Sequence, residues 1–237
     1  TVHEVLQGLV GTDVALGVVP LGTANALAQN LGLSRNPLKA VRALLGAKSV
    51  EVPVGRIVFQ EANGGEGWRY FTVAAGIGAD ALLVSSMDPE LKRRYGYALY
   101  ILEAAKIWAT NPFPLFDARF SVNGNGAARV EQVSQLLAVR IRSFGGALGV
   151  LAPGATLHKN DLSIVAFKTR SRIQYMRFLL ATIIGPDPPT EQLKREPYPL
   201  PRLEIDEGVT SLDGLAPEQF RLVGYRHHPR LSGEVAV

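Results

Sequence analysis

Pro20-Leu21-Gly22-Thr23-Ala24-Asn25 is the stretch on which the fold of this chain turns. It follows an apolar run, Ala15 to Val19, that reads as a strand. It precedes an amphipathic helical pattern in which Ala24, Leu27, Ala28 and Leu31 share one face. Gly32 supplies the stop signal for that helix. A strand that turns through Pro and Gly into a helix presents backbone N–H groups and a positive dipole end, a setting that suits a phosphate. Thr23 and Asn25 add short polar side chains able to donate to an anion or a ribose. The same residues would serve equally well as the N-cap of an ordinary β-α turn.

The 237 residues allow one large or two small domains with a proper core. A content of 47% hydrophobic and 19% charged residues is that of a folded globular chain. No apolar run approaches the roughly 18 residues needed to span a bilayer; Met176 to Ile184 is shorter and contains Arg177. The absence of cysteine excludes disulfides, thiolate metal sites and cysteine nucleophiles, and fits a cytoplasmic protein. A balance of 25 Lys+Arg against 21 Asp+Glu gives +4, a mild bias compatible with an anionic membrane surface. No basic stripe is interleaved with aromatics, so nucleic acid is not an expected partner.

Residues 1 to 46 alternate helix, strand, helix, helix, which indicates a parallel α/β layer. Val2, Val5, Leu6 and Leu9 form one face of the first helix. Asn36-Pro37 opens the last one and Gly46 closes it. From Ser49 the pattern becomes β-rich. Strands are expected at Val50 to Val54, Arg56 to Phe59 and Trp68 to Ala75, then helices at Gly76 to Ser86 and Leu91 to Thr110, the latter with an apolar stripe of Tyr97, Tyr100, Ile101, Ala104 and Trp108. The Asn123-Gly124-Asn125-Gly126 turn joins Phe116–Val122 to Arg129–Ser143 as a hairpin. A strand at Leu162–Lys168, a helix at Arg172–Ile184 and strands near 203–205, 209–212 and 220–225 complete the chain. Pro186 to Pro201, with its six prolines, is expected as loop or edge structure.

Pro-x-Gly-Thr-x-Asn before an apolar helix resembles the second nucleotide-site motif of the diacylglycerol kinase and sphingosine kinase superfamily of lipid kinases, in its bacterial form. Thr1-Val2-His3-Glu4-Val5-Leu6-Gln7-Gly8-Leu9 resembles the continuation of that family's Gly-Gly-Asp-Gly-Thr motif, with Thr1 as its last letter. On this likeness the chain begins inside a nucleotide-binding domain and should bind ATP poorly as it stands. Gly76-Ile77-Gly78-Ala79-Asp80-Ala81 imitates a dinucleotide fingerprint, but the acidic residue such a site needs about 20 positions on falls in a helical pattern. It is also similar to the family's Gly-x-Gly-x-Asp-Ala segment, where glycines serve close backbone approach. Lys92-Arg93-Arg94-Tyr95-Gly96 resembles the basic segment that follows it, membrane-facing or phosphate-facing, or simply a solvated helix start.

The resemblance implies an α/β plus mainly β architecture: residues 1–48 as the C-terminal part of an α/β nucleotide-binding domain, and 49–237 as a β-sandwich lipid domain with inserted helices. Its last strands could return to the first domain. Thr1, Glu4, Gly22, Thr23 and Asn25 would form the nucleotide site, ATP bringing Mg²⁺ with it. Asp213-Gly214 stands at the family's Asp-Gly-Glu, where Asp213 would be the catalytic base, though Leu215 replaces the glutamate and Asp-Gly is a common turn dipeptide. The Pro153 to Val165 stretch matches a region where some bacterial members bind a structural cation. His158, Lys159 and Ser163 occupy its acidic positions, so no metal site is expected, with Asp161 left over. The four histidines show no ligand spacing, and there is no Walker sequence or nucleophile elbow. The implied activity is transfer of the ATP γ-phosphoryl group to a lipid hydroxyl by a cytoplasmic protein peripheral at the membrane, with a homodimer allowed. The alternative is an inactive homologue that binds lipid or nucleotide in a regulatory role.

Overall fold

The computed structural model describes residues 2–60, 63, 65–120, 129–144, 152, 154–159, 162–184, 193–198, 202–205, 211–213 and 219–223. The N-terminal part is helical: α1 (Val2–Leu9), α2 (Ala26–Asn30) and α3 (Pro37–Leu45). Leu6 is the buried contact of α1, while Val5 lies 42% exposed, off the expected face. The Ala15–Val19 run makes only a single-residue bridge at Leu16, and the helix after it begins at Ala26. The pattern around Gly32 behaves as a stop signal should. Gly32 adopts φ +71, Leu33 N–H donates to Ala28 O and Gly32 N–H to Gln29 O, which is a Schellman cap. Asn36 caps α3 by accepting from Lys39 N–H, with Pro37 in the first turn.

The strands are β1 (Ser49–Pro53), β2 (Gly55–Gln60), β3 (Glu66–Phe71), β4 (Ala74–Gly78), β5 (Phe116–Phe120), β6 (Arg129–Val133), β7 (Gln135–Val139), β8 (Leu162–Phe167), β9 (Leu193–Tyr198), β10 (Arg202–Ile205), β11 (Ser211–Asp213) and β12 (Gln219–Val223). Helices α4 (Ala79–Ser85), α5 (Pro89–Tyr95) and α6 (Tyr97–Thr110) follow β4, and α7 (Arg172–Ile184) follows β8. A six-stranded sheet runs β3-β2-β11-β10-β5-β6, a four-stranded sheet β4-β7-β8-β9, and β1 pairs with β12. Among the described residues every such pairing is antiparallel, and all these strands lie beyond the first segment, residues 1 to 46.

Two expected strands each divide in two, because the chain turns a corner from one sheet to the other. Trp68–Ala75 breaks at Thr72-Val73, between β3 and β4. Arg129–Ser143 breaks at Ser134, between β6 and β7. Ser134 is buried at its corner; its N–H donates to Phe167 O and its hydroxyl lies within bonding distance of Phe167 O, Thr169 O and Tyr175 OH. The β5–β6 hairpin forms as expected, its turn lying outside the described residues.

β7 and β8 are buried on both faces, and their alternation sorts the core into two layers. Leu136, Ala138, Ile164 and Ala166 pack with Phe71, Ala118 and Val133 of the six-stranded sheet. Leu137, Val139, Val165 and Phe167, one residue out of step, pack with Leu6, Leu27, Leu31 and Ala40 of the N-terminal helices and with Tyr175 and Phe178 of α7. Phe167 and Tyr175 stack with ring centroids 4.9 Å apart. The second layer is therefore one core shared by the N-terminal helices and the sheet. Asn30 fastens the same junction: its Nδ2 donates to Ser143 O at 2.6 Å and its Oδ1 accepts from Arg142 N–H at 3.2 Å.

Candidate functional site

The Pro20–Asn25 turn is closed from within. Asn25 Oδ1 accepts from Gly22 N–H at 2.8 Å, and Asn25 Nδ2 donates to Gly22 O at 2.7 Å. Asn25 itself sits in the left-handed region at φ 50, a conformation that asparagine tolerates better than most residues. A β-carbon on Gly22 would stand 3.1 Å from Asn25 Oδ1, so glycine leaves room for this clamp. Gln29 Nε2 adds a bond to Ala24 O at 2.6 Å. The loop is thus rigid, while Leu21, Gly22 and Thr23 remain exposed at its tip. The helix behind it has only five residues, so its end contributes little dipole, and the loop's own donors are what it offers. Glu4 is exposed in the first turn of α1, and Thr1 lies outside the described residues.

Thr23 has a neighbour that sequence spacing could not show. Gly96, at φ +53 between α5 and α6, lies so close that a β-carbon there would stand 3.9 Å from Thr23 Cγ2. The positive φ breaks the expected Leu91–Thr110 helix into α5 and α6 and places Lys92-Arg93-Arg94 in the last turns of α5. They are at a helix end, not a helix start, where cations complement the dipole. Arg94 lies over the Tyr95 ring, 5.4 Å from its centroid. Asp88 caps the other end of α5, Oδ1 accepting from Glu90 and Leu91 N–H.

Gly76 and Gly78 lie in β4, not in a helix, and each glycine has a steric reason. A β-carbon on Gly76 would overlap Asp80 Oδ2 and stand 2.8 Å from Leu137 Cδ2. One on Gly78, which has φ +105, would stand 2.7 Å from Ser134 O. The Asp80 carboxyl folds back over the strand, and its Oδ1 is shielded from solvent with no hydrogen-bond partner. Burial pushes this carboxyl up to about 7, against the lowering effect of the Asp80 and Ala81 backbone N–H groups. Tyr175 is pushed up to about 12, first by burial and further by the Asp80 charge, despite its bond to Ser134.

Register places Asp213, the last residue of β11, opposite Arg56 of β2 and Arg202 of β10. The 154–159 loop is held by Arg140, which is fully buried and whose Nη2 donates to Leu157 O and Lys159 O, both at 3.0 Å. A guanidinium bound to these carbonyls, with Lys159 and His158 on the loop surface, does not fit a divalent cation. Asp161 lies outside the described residues.

Residues 1–57, which contain α1, the Asn25–Gly22 turn and α3, match the diacylglycerol kinase catalytic domain family. The likeness to diacylglycerol kinases continues beyond them. The chain is 31% identical over 184 residues to a diacylglycerol kinase of Mycobacterium tuberculosis, covering 74% of this chain and 54% of that one. It therefore spans about half the length of the curated relatives it matches. A crystal structure of a diacylglycerol kinase from Bacillus anthracis superposes with TM-score 0.61 at 18% identity, over 97% of this chain and 75% of that one, which shows a shared fold.

A second family also matches. Residues 187–237 match thymidylate synthase, and 45 residues are 47% identical to the thymidylate synthase of Symbiobacterium thermophilum, covering 19% of this chain and 16% of that one. Strands β9 to β12 and Asp213 all lie in this stretch. The sheets of a diacylglycerol kinase fold are thus completed here by strands whose sequence resembles another family. Sequence reading missed this and took the proline-rich Pro186–Pro201 as loop or edge structure.

Proposed function

We propose that this chain is part of a lipid kinase that transfers the γ-phosphoryl group of ATP to a lipid hydroxyl, a diacylglycerol-like acceptor in the first instance. The observation that carries the reading is the Asn25–Gly22 clamp, which presents an exposed Thr23 inside the diacylglycerol kinase-matched residues. Gly22 N–H is already engaged, so Gly22 would serve by letting a phosphate approach the backbone, and the Thr23 hydroxyl would donate to it. Asn25 would act through the loop, Glu4 would border the nucleotide from α1, and Thr1 would join them. The loop's donors are neutral and suit phosphate oxygens, so Mg²⁺ would arrive on the nucleotide and neutralise its charge. Residues 1–48 would belong to the nucleotide domain and 49–237 to the lipid domain. Asp213 would take the proton of the attacking hydroxyl. Its work would be done at a peripheral membrane surface.

A second reading, a homologue that binds without turning over, is favoured by one observation. Asp213 lies in the stretch matching thymidylate synthase, and Leu215 stands where the kinase motif has glutamate. Radiolabelled ATP with a lipid panel and the intact gene product separates the two. Lipid-dependent turnover lost in Asp213→Asn supports the kinase with its base. Turnover untouched by that change removes Asp213 from the mechanism, and lipid or nucleotide binding without turnover leaves the second reading.

A further inference from the structure

The six-stranded sheet sorts its residues by face. Partners in antiparallel register share a face, and successive residues along a strand alternate between faces. Ile57, Phe71, Phe116, Ala118 and Val133 fall on one side, in the core that β7 and β8 share. The other side is charged. Arg56 on β2, Asp213 on β11, Arg202 and Glu204 on β10, and Asp117 and Arg119 on β5 all occupy it. Arg56 stands opposite Asp213, Asp213 opposite Arg202, and Glu204 opposite Arg119. Directly opposed residues have β-carbons about 5 Å apart, which is within reach of an ion pair. Asp213 therefore has an arginine position on either side.

The β2–β11 pairing is also where two kinds of sequence meet. Arg56 lies within the residues that match diacylglycerol kinase, and Asp213 within those that match thymidylate synthase. Three residue pairs hold the two strands together: Ser211 with Val58, Leu212 with Ile57 and Asp213 with Arg56. Only the last is charged. Arg56 is half-buried and its Nε is shielded from solvent, so its field reaches a neighbour with little screening. Tyr70 stands opposite Arg56 on β3, on the same side of the sheet, and is buried in the core that holds Leu6 of α1. Helix α1, which also carries the charged or titratable His3 and Glu4, thus packs beside this row. From Tyr70 to Asp213 is two strand spacings, about 10 Å.

We propose that Arg56 is a positioning residue for Asp213: its guanidinium anchors the carboxylate over the sheet and so aims the base at the attacking hydroxyl. This deepens the lipid-kinase reading and rests on it for the proton step. In that step the hydroxyl oxygen bonds to the γ-phosphorus and the bond to the β–γ bridging oxygen breaks. ADP leaves, and the hydroxyl proton passes to Asp213. Arg202 belongs to the same thymidylate synthase-like stretch as Asp213, whereas Arg56 ties that carboxylate to the kinase-matched residues.

The test is the titration of Asp213 in the full chain, followed by the carboxyl carbon signal of aspartate-labelled protein and assigned by its loss in Asp213→Asn. An arginine beside a carboxylate favours its charged form. The midpoint is therefore expected below the ordinary aspartate value of about 3.9. Arg56→Gln should raise it by about one pH unit, a tenfold gain in proton affinity. Arg56→Met retains the apolar stem, should do the same, and serves if the glutamine variant does not fold. Arg56→Lys keeps the charge and should raise it less. Arg119→Gln, opposite Glu204, is the control and should leave it unchanged. With ATP and lipid, Arg56→Gln in the intact gene product should lower kcat about tenfold with the KM for ATP unchanged, and Arg56→Lys should restore part of the loss. Circular dichroism verifies the fold of each variant. A midpoint indifferent to Arg56→Gln and Arg56→Met overturns the proposal, as does one moved as far by Arg119→Gln. An unchanged kcat with a moved midpoint overturns the positioning role. A midpoint that moves in a chain without turnover supports the pairing, and only the kinase reading fails.

Discussion

The side-chain amide of Gln7 on α1 bonds both ways to the backbone of Tyr70 on β3, Nε2 donating to Tyr70 O at 2.9 Å and Oε1 accepting from Tyr70 N–H at 2.8 Å. β3 is the edge of the six-stranded sheet, and an edge strand presents unpaired N–H and C=O groups. Gln7 acts as a one-residue strand, ties α1 to the sheet and blocks pairing by another chain. Gln7→Ala leaves both half-buried groups without this partner and should cost about 1–3 kcal/mol in chemical denaturation. Gln7→Glu, which keeps the acceptor and loses the donor, should fall between.

Asp80 should make the protein less stable as pH rises. Its carboxyl titrates near 3.8 unfolded and near 7 folded, so between these values the folded state holds a proton that the unfolded state has lost. The stability is complete below pH 4 and falls through pH 7, by an amount on the order of 4 kcal/mol. Asp80→Asn should flatten this part of the pH–stability curve measured by denaturant titration. An unchanged slope in the variant would place the effect elsewhere.

Gly76→Ala should be destabilising by about 1–3 kcal/mol, because the added methyl enters the space of the Asp80 carboxyl and Leu137. The Asp80 share of that clash disappears in the Asp80→Ala background. Thermal melts of the two single variants and the double should therefore be non-additive, with the double more stable than the sum of the singles.

Asn25→Ala should loosen the Thr23 loop. It removes two hydrogen bonds and puts alanine at φ 50, at about 1–2 kcal/mol for the backbone alone. Under the proposed function, the KM for ATP rises more than kcat falls. Asn25→Gly, which relieves the backbone strain but not the lost clamp, separates the two contributions.

Strands β10 and β11 fill the sheet between β2 and β5, and both come from the thymidylate synthase-like stretch. A chain ending at Ile184 leaves two hairpins, β2–β3 and β5–β6, with open inner edges. It should self-associate in size-exclusion chromatography. A monomeric, equally stable truncation would show that residues 185–237 are not needed for the fold.

Local signals were legible in the sequence wherever a residue acts on its own neighbours. The Gly32 and Asn36-Pro37 helix ends, the β5–β6 hairpin and the bounds of α7 follow from backbone hydrogen-bonding that a few adjacent residues decide. The Pro20–Asn25 motif and its family could be recognised the same way, and residues 1–57 match that family. Only the tertiary structure decided the rest. Strands that look continuous divide at Thr72-Val73 and Ser134 because a second sheet receives them, and no periodicity records which sheet a strand joins. Ile101 is apolar yet exposed because Leu99 and Trp108 take the inner side of α6. Asn25 turns inward to Gly22, and Thr23 meets Gly96 across 73 positions of chain, because side-chain direction and distant approach are settled by packing.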